Sequence, residues 1–247
     1  MNSMPKIGIL VVAYNAEKTL EAVLARIPSD FIPKISAILI ADDASNDFTA
    51  NVAKQIKKSR IDLPITVIEH QSNLGYGGNQ KAGYSWMIEN EMDLVVLLHG
   101  DGQYAPEYLP KMIEPITSSQ ADVVFGSRML TKGTALKGGM PKYKFIGNKI
   151  LTFWQNRMAG SKLSEWHSGY RAYSIDSLKK TKFQVNSDYF DFDTEIILQM
   201  LDAQQRIVEI PIPTFYGEEL SRVNGVKYGW QVAKHTTKWR IKGRKQK

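Results

Sequence analysis

The chain has no cysteine among its 247 residues, which excludes disulfides and thiolate metal sites. That suits a reducing compartment, and a cytoplasmic location is expected. No apolar run approaches the roughly 18 residues that cross a membrane. The N-terminal KIGILVVA is strand-length and lacks the longer apolar core of a signal peptide. No G-x-G-x-x-G follows this first run, which argues against an NAD enzyme. Nor does a glycine-rich loop with Arg and Lys follow it, as nucleotidylyltransferases usually require. Repeats, low-complexity blocks and clear linkers are also missing. Acid is absent from residues 220–247, which hold nine of the 32 Lys/Arg and none of the 25 Asp/Glu. The net charge of +7 is therefore a property of that tail, since the rest of the chain has 23 basic residues against 25 acidic ones. A basic tail fits an anionic surface: phospholipid head groups, a phosphorylated substrate or nucleic acid.

What is present is an ordinary apolar share, 43%, arranged in alternating patterns. KIGILVVA (6–13), ISAILIA (35–41), ITVIEH (65–70), DLVVLLH (93–99) and ADVVFGSR (121–128) read as buried strands. Helical patterns lie between them. One is capped at Asn15 and carries Leu20, Leu24 and Ile27; another follows Ser45-Asn46-Asp47 near 48–59. NLGYGGNQKAG opens a third towards Asn90, and PEYLPKMIEPI is a fourth. Strands and helices alternating about 30 residues apart imply a largely parallel sheet covered on both faces. TKGTALKGGMPKYK reads as a mobile loop, followed by helices near 144–158 and 192–203 and a strand at RIVEIPIP. One domain with a distinct C-terminal third is expected.

Ligands of such sheets bind beyond the carboxyl ends of the strands. Those ends carry Tyr14-Asn15, Asp42-Asp43, His99-Gly100-Asp101 and Gly126-Ser127-Arg128. Acids and an arginine on one rim suit a nucleotide diphosphate, whose charge a divalent cation and arginines can neutralise. Asp101 lies between two glycines at the end of an apolar strand, so it is a candidate metal ligand; the plain alternative is a turn residue.

Seven stretches in order, VAYNAEKTL, IADDASNDFT, NLGYGGNQKAG, VVFGSR, SGYRAYS, TEIILQMLDAQQRIVEIPI and SRVNGVKYG, resemble the motifs of glycosyltransferase family 2. The likeness is greatest to its dolichol- or polyprenyl-phosphate sugar synthase-like branch, and it spans residues 6 to about 229. It implies an α/β GT-A fold: a catalytic domain over 1–229, with a nucleotide-binding half (1–128) and an acceptor-side half (129–229), followed by a basic tail (230–247). It implies an inverting transfer of a hexose from a UDP- or GDP-linked donor to a polyprenyl phosphate or a surface-polysaccharide acceptor. Val12 and Tyr14 would line the base pocket, Asp43 would contact base or ribose, and Gly100 would leave room for the ribose. Asp101 and Gln103 would hold Mg²⁺ or Mn²⁺, and Arg128, Arg222 and Lys227 would surround the diphosphate. His99 stands where the family has the first acid of its Asp-x-Asp motif. A neutral imidazole there can bind Mn²⁺ or the ribose but adds no negative charge.

For the acceptor side, Glu165 is the expected base and His167 the second candidate, since a hydroxyl acceptor needs one; an ionised lipid phosphate does not. Trp154, Trp166 and Tyr170 can stack on sugars or pack the core. Glu218 and Glu219 can orient Arg222 or form a surface ion pair. Trp239 and Ile241 within the basic tail suggest peripheral contact with an anionic membrane, at its inner face. The readings left beside the enzyme are a non-catalytic nucleotide-sugar-binding relative, prompted by His99, and a nucleic-acid-binding protein using the tail. The latter leaves the acidic rim unexplained, so no nucleic acid is expected.

Overall fold

A computed structural model describes residues 4–215 and 225–244. The chain order is β1 (Ile7–Ala13), α1 (Leu20–Ala25), β2 (Ile35–Asp42), α2 (Thr49–Ser59), β3 (Ile65–Glu69), α3 (Gly75–Glu89), β4 (Leu94–His99), α4 (Leu109–Thr117) and β5 (Val123–Ser127). Then come α5 (Thr134–Lys137), α6 (Lys142–Ala159), β6 (Arg171–Ser174), α7 (Ile175–Lys179), α8 (Phe192–Asp202), β7 (Ile207–Pro211) and α9 (Gly225–Arg244).

The strands form one sheet in the order β3-β2-β1-β4-β6-β5-β7. All neighbours are parallel except β6, which runs antiparallel to both β4 and β5. The five expected strands are present, and their continuous apolar runs have a physical cause: both faces are covered. Ile9, Val11, Val96 and Leu98 pack towards α1, α2 and α4. The alternate residues Leu10, Val95 and Leu97 pack towards α3 and α8, beside Tyr84, Ile196 and Met200. Inserting β6 between β4 and β5 fuses the two expected halves into a single sheet.

Three expectations change, and one strand is additional. The first helix starts at Leu20, and Asn15 does not cap it: Asn15 sits at φ 50° and its Oδ1 accepts the Asn46 N–H (2.9 Å). The stretch expected as a mobile loop contains α5 and buries Ala135 and Met140. SGYRAYS contains β6, too short at four residues to show a period. Finally, residues 230–244 of the expected tail belong to α9, which starts at Gly225 and packs on α6 and α8, burying Val232 and Thr236; 245–247 lie outside the described residues. Trp239, expected at a membrane, is partly buried against the core beside α8 and donates Nε1–H to Asp202 (2.7 Å). Among the described residues no helix is long and apolar enough to cross a membrane.

Candidate active site

The sheet register gathers the expected residues on one rim. Val12 pairs with His99 and Ala13 with Asp42, so β1, β2 and β4 end level with one another. The Gly100 N–H donates to the Val12 carbonyl and the Asp43 N–H to the Ala13 carbonyl, each at 2.9 Å. Val12 and Tyr14 are both half-buried there. Because β6 is antiparallel, the segment entering it, 164–170, arrives at the same rim. This chain reversal brings Glu165 and His167 to Arg128.

Asp101 is half-buried, and its Oδ1 accepts the Gln103 N–H (3.0 Å) in a tight turn. Its Oδ2 makes no hydrogen bond among the described residues. A Cβ on Gly100 would lie 3.3 Å from the Ala13 Cβ and 3.4 Å from the Val12 oxygen, so the close packing of β1 on β4 already favours glycine. His99 is boxed by aromatic rings, edge-on to Tyr76 and Tyr104 at 5.6 and 4.8 Å between centroids. Its Nε2 is 3.5 Å from the Tyr76 hydroxyl, and burial lowers its pKa, so the ring is neutral. Gly169 is required beside it: a Cβ there would fall 2.8 Å from the His99 Cε1 and 2.8 Å from the Tyr76 oxygen.

Asp43 is buried and committed to the fold. Its two oxygens accept the N–H groups of Leu74 (2.7 Å) and Gly75 (3.1 Å), the entry to α3. Burial raises its pKa despite these donors. A cleft of about 490 Å³ beside this turn is lined by Asn73, Gly75, Lys81, Asp188 and Tyr189, and by none of the expected site residues.

Glu165, the expected base, is placed against Arg128. Its side chain is fully buried and spent on Arg128: Oε2 accepts the Arg128 backbone N–H (2.7 Å), and Oε1 accepts Nε–H (3.0 Å) and Nη2–H. Asn148 Nδ2 of α6 adds a fourth donor at 2.8 Å. Burial by itself would raise the Glu165 pKa, but Arg128 and these donors outweigh it and hold it below the usual carboxylate range. A carboxylate so stabilised is a weak base, and the arrangement makes it a clamp that aims Arg128. Arg128 Nη2 also donates to the His167 carbonyl (3.0 Å). The His167 Nδ1 meets the Tyr228 hydroxyl of α9 at 2.8 Å, while Nε2 is buried with no partner among the described residues. Burial pushes its pKa down to about 4, so this ring is neutral too.

Behind the loop stands Arg171, which the strand pattern did not single out. It is fully buried, donating to the carbonyls of Ser168 (2.9 Å) and Trp166 (3.0 Å), and it pairs with Asp193 (3.3 Å). Asp193 in turn accepts the Tyr76 hydroxyl at 3.0 Å. Glu209 of β7 accepts the N–H groups of Ser164 and Glu165. The sequence signal was a lone Arg or Glu in a short apolar segment, which marks a buried, paired charge. Trp166 and Tyr170 are fully buried and pack the core. Lys227 lies in the first turn of α9; Arg222, Glu218 and Glu219 fall outside the described residues.

For a divalent cation, Asp101, Gln103 and His99 offer one carboxylate, one amide oxygen and one neutral imidazole. Among the described residues Oδ2 of Asp101 makes no hydrogen bond, and these donor types suit a cation accepting mixed oxygen and nitrogen ligands. Among the described residues a close group of acid and histidine ligand atoms lies elsewhere, where Asp191, Glu195 and His235 meet between α8 and α9. There both His235 nitrogens are already taken, by Asp191 (3.0 Å) and Glu195 (2.8 Å). That is an ion-pair clamp between helices.

Comparison with known proteins bears on the family and the fold. The model of the family "Glycosyl transferase family 2" matches residues 8–181. The undecaprenyl-phosphate mannosyltransferase of Micrococcus luteus is 30% identical over 95% of this chain and 94% of its own. The UDP-N-acetylglucosamine–dolichyl-phosphate N-acetylglucosaminyltransferase of Methanococcus voltae is 28% identical over 92% of each. Among solved structures, glucosyl-3-phosphoglycerate synthase of Mycobacterium tuberculosis, in complex with Mn²⁺, UDP and glucosyl-3-phosphoglycerate, superposes with a TM-score of 0.71. That match covers 95% of this chain and 80% of the other at 13% identity, and it shows a shared GT-A fold.

Proposed function

The chain belongs to glycosyl transferase family 2, and from that premise we propose that it is an inverting transferase moving a hexose from a UDP- or GDP-linked donor to a polyprenyl phosphate, at the inner face of the membrane. One observation carries the choice of acceptor: the two candidate bases are both disarmed. Glu165 is consumed by Arg128, and His167, buried and bonded through Nδ1 to Tyr228, has its pKa pushed down to about 4, which makes it a poor acceptor for a hydroxyl proton. A sugar hydroxyl would need a base to lose its proton. A lipid phosphate is already ionised and needs only to be positioned. The Micrococcus and Methanococcus relatives are named for such acceptors.

In this reading an acceptor phosphate oxygen attacks the anomeric carbon as its bond to the donor diphosphate breaks. The nucleoside diphosphate leaves with that electron pair. Asp101 and Gln103, with His99 beside them, would hold a divalent cation whose charge offsets that of the leaving group when it is bound. The solved relative with Mn²⁺ and UDP supports a cation of this kind. Glu165 fixes the Arg128 guanidinium so that its charge faces the diphosphate without reorganising. Lys227 and Arg222 supply further positive charge. Val12 and Tyr14 flank the nucleoside, and Asp43 shapes the turn beside it.

The test offers UDP- and GDP-hexoses with Mg²⁺ or Mn²⁺ to the enzyme and compares a polyprenyl phosphate with the matching polyprenol. Transfer to the phosphate alone is expected. Equal transfer to the free alcohol would refute the acceptor assignment. In a thermal-shift panel, one nucleoside diphosphate should stabilise the protein, and Asp101→Ala should abolish the metal-dependent part. An equal, metal-independent response to every nucleotide would refute the site.

A further inference from the structure

Helix α6 has the reverse of the pattern expected for a helix between protein and water. Its buried positions are polar: Asn148 bonds Glu165 (2.8 Å), Thr152 bonds Asn148 (3.2 Å) and Gln155 reaches Thr194 (3.4 Å). Its outer positions are apolar. Tyr143 is 73% exposed, Ile146 56%, Ile150 63% and Phe153 73%. Steps of three, four and three residues keep all four on one side of the helix. Scattered exposed apolar residues need no explanation, but a continuous stripe does.

We propose that this face of α6 seats on an anionic lipid bilayer. The proposal deepens, and rests on, the lipid-phosphate acceptor read above. Charge decides the occupant. Helix α6 carries Lys142, Lys144, Lys149 and Arg157 and no acid. Helix α9 lies against it, Gly229 facing Leu151, and carries six Lys/Arg and no acid. Next to that contact Trp230 is 64% exposed, with the Lys234 ammonium over its ring at 5.1 Å. Apolar and aromatic side chains fringed by lysines are what an interface of acyl chains and anionic head groups binds. A second copy docking through the same stripe would instead bring two sets of lysines together. The stripe is also well placed. It lies across one helix, about 10 Å, from Asn148, which bonds the Glu165–Arg128 pair.

The experiment is flotation of the full chain with vesicles of phosphatidylglycerol in phosphatidylcholine, against phosphatidylcholine alone. Binding to the anionic vesicles is expected, at least about tenfold weaker to the neutral ones and at high salt. The double variant Ile150→Glu/Phe153→Glu should lose at least about tenfold in partition. Its melting temperature and nucleoside-diphosphate shift should stay unchanged, because both side chains lie outside the hydrogen-bond network. Failure of the native chain to float, or equal flotation of the variant, overturns the proposal. So does a dimer in light scattering that the variant dissolves while vesicle binding is nil. Transfer to a short-chain polyprenyl phosphate in detergent separates the two readings. Transfer without vesicle binding sinks the surface alone; vesicle binding without transfer sinks the acceptor reading alone.

Discussion

Replacing Glu165 by Gln distinguishes a clamp from a base. The native carboxylate accepts four donors: three N–H groups of Arg128 and the Asn148 amide. Gln keeps one acceptor oxygen and turns an NH₂ group towards donors, so the guanidinium loses its counter-charge in a buried place. Breaking a buried pair by removing one partner costs about 3–5 kcal/mol. At this chain length each kcal/mol shifts the melting temperature by about 2–4 °C, so a fall of roughly 6–20 °C is expected in calorimetry. A misplaced Arg128 should also raise the KM for the donor while the shape of the pH–rate profile persists. Because Arg128 and Glu165 act as a unit, Arg128→Gln and the double variant should cost little more than either alone. The reasoning is refuted if Glu165→Gln melts within about 2 °C of the native protein, keeps its donor KM, and loses the acidic limb of the kcat profile. That is the pattern of a lost base.

Two further outcomes follow from the geometry. His235 donates its ring N–H groups to Asp191 and Glu195, and these hydrogen bonds raise its pKa to about 9, against about 6.5 for a free histidine. The clamp is therefore at full strength below about pH 6.5 and fades as pH rises through about 9. The melting-temperature gap between the native chain and His235→Gln should shrink from pH 7 to 10, and a constant gap would contradict an ionic clamp. Gly169→Ala inserts a methyl group 2.8 Å from both the His99 ring and the Tyr76 hydroxyl. A fall in Mn²⁺ affinity, read by electron paramagnetic resonance titration, is expected with the fold retained by circular dichroism. Unchanged Mn²⁺ binding would show that His99 stands apart from the cation.

The strands were legible because burial on both faces demands an unbroken apolar run, and β1, β2, β4 and β5 have one. Their ends were legible too: the polar clusters at Tyr14, Asp43, Asp101 and Arg128 interrupt those runs abruptly. β6 was not, since four residues, Arg-Ala-Tyr-Ser, carry no period and include a charge. Helix α6 and its range were readable, but not which side faces the protein. Its polar residues bond partners far along the chain, such as Thr194, and no local pattern announces them.

Local chemistry along the chain determined the alternation of strand and helix, the rim of acids and arginine, and the family likeness. Each depends on neighbours in sequence: apolar runs, turn residues, short motifs. Tertiary structure alone decided what the charges do. Glu165 and Arg128 are 37 residues apart, and Asp193 and Tyr76 are 117 apart; only the reversed β6 and the packing of α6, α8 and α9 bring them within bonding distance. A carboxylate is a base or a clamp according to which cations and N–H donors surround it. That surrounding is fixed by the fold.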